Sequence, residues 1–302
     1  MNTTLRAAFW MLGAIFSFSA MALAGRALSD GYDTFEIMLY RSAVGLVIVT
    51  ACATAFGTLG QINRQALGLH MIRNLAHFTG QNLWFYAVTA APLALVFALE
   101  FTTPLWVIIL SAVLLGERLT AWRAAAALLG FVGILIVARP GMTPVSLGLL
   151  MAAASAIFFG LTFIFTKKLT QRQSITGIMF YLTLLQLIFG LITAGYDGDI
   201  ALPTWYAAPL LGLVGVCGLL AHYCIANALN IAPAAVVAPF DFTRLPVIAI
   251  IAMLVYGEPL DVWVFVGALV IFGANYLNIW SETRQSATSG SPPTGGTPTS
   301  SQ

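Results

Sequence analysis

Residues 91–119, APLALVFALEFTTPLWVIILSAVLLGERL, and residues 232–260, APAAVVAPFDFTRLPVIAIIAMLVYGEPL, read as one segment written twice, 141 positions apart. Ala91-Pro92 aligns with Ala232-Pro233, Glu100-Phe101-Thr102 with Asp241-Phe242-Thr243, Gly116-Glu117 with Gly257-Glu258, and Leu119 with Leu260. The offset holds on both sides of the stretch. Trp122 falls on Trp263, and Ile37-Met38 and Tyr40 fall on Ile178-Met179 and Tyr181. A single offset kept over four helix lengths is hard to obtain by chance and marks an internal repeat.

Both copies are strongly apolar, and so is the rest of the chain. Its 302 residues are 60% hydrophobic and 8% charged, against about 45 to 50% apolar and about 25% charged in a soluble domain. Apolar runs long enough to cross a bilayer, about 20 residues each, fall at 7–28, 35–56, 67–89, 93–115, 121–138, 145–166, 175–195, 206–230, 234–256 and 262–280. The runs are unbroken rather than alternating in polarity, so they predict helices and not a barrel. Arg6, an apolar run and Ala22-Leu23-Ala24 imitate a cleaved signal. The segment has a counterpart in the second repeat, however, and is read as the first span. Five helices is an odd number, so the second unit enters the membrane inverted relative to the first. The expected fold is an all-α integral membrane protein of ten transmembrane helices, an inverted repeat of two five-helix units at 5–138 and 145–280. From Glu282 the chain turns to Ser, Thr, Gly and Pro, a composition that predicts a disordered cytoplasmic tail over 282–302.

A net charge of +2 from scattered arginines offers nucleic acid no footprint. Cys52, Cys217 and Cys224 all lie in apolar runs and read as small buried hydrophobes with no disulfide framework. Loop cations set the orientation. With a cytoplasmic N-terminus, Arg6, Arg64, Arg118, Arg123, Lys167, Lys168, Arg172 and Arg284 lie inside, against Arg26 and Arg139 outside. The expected location is the bacterial inner membrane, multi-pass, with both termini cytoplasmic.

These features together resemble the drug/metabolite transporter superfamily, specifically its EamA-like ten-helix carriers. The resemblance spans about residues 5–280. It is carried by Tyr86-Ala87 through Ala91-Pro92, Leu115-Gly116-Glu117-Arg118-Leu119, Gly130 to Gly133, Ala232-Pro233 and Gly257-Glu258. It implies a basket of eight core helices with helices five and ten at the periphery. It also implies carriage of solutes such as amino acids, S-adenosylmethionine, riboflavin or nucleotide sugars.

Ionisable groups in hydrocarbon are costly and default to the interior. Here they are Arg41, Arg73, His77, Glu100, His222, Asp241 and Arg244. At about 1.5 Å per residue, Arg41 and Glu100 share one depth and Arg73 and Asp241 another, which makes two ion pairs possible. Arg244 lies one turn beyond Asp241. Its repeat counterpart is Thr103, so it is an unmatched cation and the first candidate for a substrate contact. Arg73, His77, Gln81 and Trp84 follow at i, i+4, i+8 and i+11, a stripe expected to face a cavity. Trp84 also lies where an interfacial aromatic belt would place it. His77 and His222 are read as hydrogen-bonded cavity residues, with proton relay the other role open to them. Gly212, Gly215 and Gly218 form a close-packing surface, and Pro104, Pro239 and Pro246 interrupt helices four and nine.

The expected function is a secondary transporter of a small organic metabolite, working by alternating access, with the bilayer and a coupling proton as candidate partners. Both charge signs beside Trp106 and Tyr181 favour a zwitterionic or aromatic solute. A membrane-embedded enzyme, or a channel or structural protein, is the alternative. No P-loop, His-Glu-x-x-His or Gly-x-Ser-x-Gly motif occurs, so no ATP hydrolysis, catalytic residue, metal or cofactor is expected.

Overall fold

The computed structural model describes residues 3–115, 120–139, 145–170, 172–196, 198–231, 240 and 243–288, and every regular element among them is helical. In chain order these are α1 (Thr3–Leu28), α2 (Thr34–Ala55), a 3-10 turn (Leu59–Gln61), α3 (Leu67–Ala90), α4 (Leu93–Glu100), α5 (Thr103–Leu115) and α6 (Ala121–Ala138). Then follow α7 (Leu147–Thr170), α8 (Ile175–Ala194), α9 (Ala207–Ile231), α10 (Arg244–Tyr256) and α11 (Val262–Thr288). Seven segments are long and apolar enough to cross a membrane, with α4 and α5 counted as the single span Leu93–Leu114. The polar α3, the shorter α10 and the apolar part of α11 complete ten crossings in two units of five. Phe16, Val47, Leu128, Leu191 and Leu254 are exposed on the outside of this bundle, where lipid replaces water as the neighbour.

Packing follows the repeat. α1 lies along α9 and α3 along α7, and the 141-residue offset converts one pair into the other. α2 against α8 and α6 against α11 are each their own counterpart. α6 and α11 meet backbone to backbone: a Cβ on Gly133 would lie 2.9 Å from the Gly267 carbonyl, and one on Gly267 would lie 2.8 Å from the Gly133 carbonyl.

Polar residues at the helix ends fix the loops. Asp33 and Glu36 form a reciprocal capping box at the start of α2, satisfying two backbone donors that hydrocarbon would leave unpaired. The second Glu36 oxygen accepts from Ala201 N at 2.6 Å. Tyr40 Oη donates to Ala201 O at 2.8 Å and Tyr32 Oη to Leu202 O at 2.9 Å. The α8–α9 loop is thereby stitched to the α1–α2 turn. Thr120 caps α6 and Ser174 caps α8. α10 ends at Gly257 with φ 67°, a left-handed conformation that glycine adopts without a Cβ penalty.

The interruption expected from Pro104 divides helix four in two, at Phe101–Thr102. Three expectations change. Helix six runs on to Thr170, past Lys167-Lys168. Helix ten continues to Thr288 because Glu282 to Ala287 contains no proline or glycine to stop it; of the tail expected from 282, residues 289–302 lie outside the described residues. Cys52 is exposed, and only Cys217 and Cys224 are buried.

Candidate functional site

Pro104 has no N–H and cannot satisfy the Glu100 carbonyl one turn back, so the span breaks just before it. Three carbonyls at the break are met by side chains. Thr102 Oγ1 donates to Leu99 O at 2.6 Å, Thr103 Oγ1 to Glu100 O at 2.7 Å, and Asn275 Nδ2 of α11 to Phe101 O at 3.0 Å. Thr243 Oγ1 donates to Phe240 O at 2.7 Å, the same bond 141 residues on. The threonine of the repeated acid-Phe-Thr triplet thus closes the turn at which the helix is interrupted.

At the break the Glu100 side chain faces α10. Its Oε1 accepts from Arg244 Nη2 at 3.0 Å and its Oε2 from Trp84 Nε1 at 2.8 Å. The Arg244 side chain is 2% exposed, and its guanidinium lies 4.8 Å from the ring centres of Phe18 and Phe97 and 5.3 Å from that of Phe101, within cation–π range. α1, α3, α4 and α10 are pinned together at this point. Trp84 is buried inside the bundle, so the aromatic-belt reading fails.

The pairing of Arg41 with Glu100 also fails. α2 packs on α8 and α9, whereas α4 packs on α10, so equal depth did not bring the two together. Arg41 instead occupies a slot in α9, where a Cβ on Gly218 would come 2.8 Å from its Nε and 2.9 Å from its Nη2. Gly215 likewise admits Val44, but Gly212 has nothing within 4 Å, so the close-packing surface is two glycines rather than three. Arg41 donates to Met38 Sδ at 3.6 Å and has no carboxylate within 4.0 Å among the described residues. Arg73 donates to Thr166 Oγ1 at 3.1 Å and Asn74 Oδ1 at 2.9 Å. Asp241, its expected partner, lies outside the described residues.

Arg41 opens into a cavity between α2, α8 and α9, lined also by Ser42, Thr183, Gln186 and His222. The space within and around it is about 300 Å³. The His77 and His222 rings lie 6.0 Å apart. Asn74 Nδ2 reaches Tyr181 O at 3.3 Å, and Gln186 Nε2 reaches Asn74 O at 3.2 Å, which ties Arg73 to the cavity wall. Gln81 is buried on the same helix. Tyr181 packs on His70, 4.5 Å between ring centres. Trp106 stands apart, edge-on to Phe131 at 5.4 Å.

His70, Asn74 and Gln186 were missed. His70 and Asn74 extend the α3 stripe by one turn, and Gln186 is an amide inside an apolar helix, so each carried a readable signal. The role of the Gly257-Glu258 turn was also missed. Leu93 N, the first amide of α4, donates to Glu258 Oε2 at 2.9 Å, and Arg26 forms an ion pair with Glu258 Oε1. Arg26 also donates to Val88 O at 2.6 Å and to Ala91 O. Arg139 pairs with Asp261 nearby. One face of the bundle is thus latched across the ends of α1, α3, α4, α6, α10 and α11.

Ten helices in two like units, with an interrupted helix and a charged interior cavity, define a multi-pass membrane transporter rather than an enzyme. The chain belongs to the EamA-like transporter family, whose sequence profile matches residues 5–139 and again residues 146–280. A riboflavin transporter of Vibrio cholerae is 28% identical over 93% of this chain and 95% of its own length. An S-adenosylmethionine uptake transporter of Rickettsia bellii is 25% identical over 91% of this chain and 94% of its own. A chain in a solved crystal structure, 19% identical, superposes with a TM-score of 0.62 over 92% of this chain and 98% of that one, a likeness of fold alone.

Proposed function

We propose that the chain is a secondary carrier that moves a small organic metabolite across the bacterial inner membrane by alternating access, with both termini cytoplasmic. The moving units are residues 5–138 and 145–280, and residues 282–302 form a cytoplasmic tail. The observation that carries this reading is the latch of Arg26, Glu258 and Leu93 N, which joins the two units on one face. The 141-residue offset sends Arg26 to Lys167, Glu258 to Glu117 and Leu93 to Ala234, so the sequence repeats the ingredients of a latch, although Glu117 and Ala234 lie outside the described residues. In the proposed orientation the closed latch is periplasmic.

Glu100, Arg244 and Trp84, at the helix break, act as the gate between the units. Arg41, Arg73, His77, Gln81, Tyr181 and His222 form the solute path, with Trp106 and Asp241 assigned to its cytoplasmic half. His77 and His222 are the groups on which a coupling proton would be carried. Relatives that carry riboflavin and S-adenosylmethionine support a heterocyclic or zwitterionic solute.

Counterflow in proteoliposomes with labelled riboflavin and labelled S-adenosylmethionine tests the reading. Saturable exchange of either is the expected result, and a pH gradient that changes its rate supports proton coupling. Orientation is tested by impermeant thiol labelling. A cysteine at Asp199 should react from the periplasm and one at Ser174 only from the cytoplasm, and the reverse pattern ends the topology.

A further inference from the structure

We propose that the cavity between α2, α8 and α9 is an oxyanion subsite, in which Arg41, backed by Arg73, receives the carboxylate or phosphate group of the transported solute. The proposal rests on the carrier reading above and assigns a substrate class to its site.

Charge arithmetic is the first support. The spans hold Arg41, Arg73 and Arg244 against Glu100 and Asp241. Even with Asp241 counted, one positive charge is left over. Glu100 is committed to Arg244, and neither Arg41 nor Arg73 has a carboxylate within 4.0 Å among the described residues. Arginine does not deprotonate in proteins, and an uncompensated charge inside a membrane is expensive. A compensating anion brought by the solute removes that cost only while it is bound.

Construction of the site is the second support. Arg41 and Arg73 are buried, at 8% and 5% exposure, and Gly218 is the residue that leaves room for the Arg41 guanidinium. His222 Nε2, both His77 ring nitrogens and Gln186 Oε1 are buried without a hydrogen-bond partner among the described residues. Arg41, Arg73, His77 and His222 lie within electrostatic reach of one another. Buried polar atoms are ordinarily satisfied. A set of them beside two arginines that meet no acid among the described residues fits a planar, multiply accepting ligand, which the guanidinium fork binds bidentately.

The test uses the full chain in nanodiscs of phosphatidylcholine, which carry no net headgroup charge. Melting temperature is followed against inorganic phosphate, acetate and chloride at constant ionic strength. Phosphate and acetate should raise it saturably, by about 2 to 4 °C near saturation, while chloride has little effect. Arg41→Gln should abolish the rise and melt no lower than the wild type without anion, because it removes an unpaired buried charge. Gly218→Ala, which pushes a Cβ into the guanidinium slot, should weaken the response at least tenfold. It decides the matter should Arg41→Gln not fold. An anion response unchanged in Gly218→Ala or Arg41→Gln overturns the subsite, as does an equal response to chloride. Counterflow separates the two proposals. Exchange without an Arg41-dependent anion response sinks the subsite alone, and an Arg41-dependent response without exchange sinks the carrier reading alone.

Discussion

Arg244 shows what one side chain does when water is removed. Its charge is met by Glu100 and by three aromatic rings, and the second Glu100 oxygen is taken by Trp84. Breaking such a pair from one side leaves a buried charge and costs roughly 3 to 5 kcal/mol, whereas removing both charges costs much less. Glu100→Gln should therefore lower the melting temperature of the purified protein sharply. The double change Glu100→Gln with Arg244→Gln should recover most of the loss, because no buried charge is then left without its partner. Strictly additive effects in thermal melts would mean that the pair carries no stability. At this scale the sequence was only partly legible. That Arg41, Glu100 and Arg244 face inward followed from the cost of charge in hydrocarbon. Which of them meet did not follow, because depth along a helix carries no information about the neighbour across the gap.

The interrupted fourth span shows how a transmembrane helix tolerates a break. Proline removes one donor, the chain turns at Phe101–Thr102, and two threonine hydroxyls and Asn275 take the carbonyls left over. Asn275 is 3% exposed, so Asn275→Leu removes a buried donor to the Phe101 carbonyl at a cost of about 1 kcal/mol. A clear drop in melting temperature is expected, and an unchanged one would show that the break needs no partner from α11. Pro104 announced the interruption in the sequence. Its position two residues earlier followed from the carbonyl that proline orphans, and Asn275, 174 residues further along, bore no local mark of the role. The Gly-Glu turn is a similar case. Its glycine was readable as a turn, but that the glutamate caps α4 and grips Arg26 depends on a helix from the other repeat.

At the scale of the molecule, the main helix pairings between the two like units follow the repeat, α1 on α9 with α3 on α7 and α2 on α8 with α6 on α11, and the latch is one of the contacts that break the symmetry. A carrier whose halves exchange roles should open Arg26–Glu258 only while Lys167–Glu117 is closed, since a solute path open at both ends is a leak. In a background lacking Cys52, Cys217 and Cys224, paired cysteines at 26 and 258, or at 117 and 167, can be joined by a cleavable bifunctional thiol reagent. Either bridge should stop counterflow, and cleavage should restore it. A cysteine placed at Thr183 in the cavity wall by Thr183→Cys reports which side is open. With 26 and 258 joined it should react only with cytoplasmic reagent, and with 117 and 167 joined only with periplasmic reagent. Accessibility from the same side in both locked forms would separate the repeat from the transport cycle, leaving the latch as a fastening and the symmetry as a matter of folding alone.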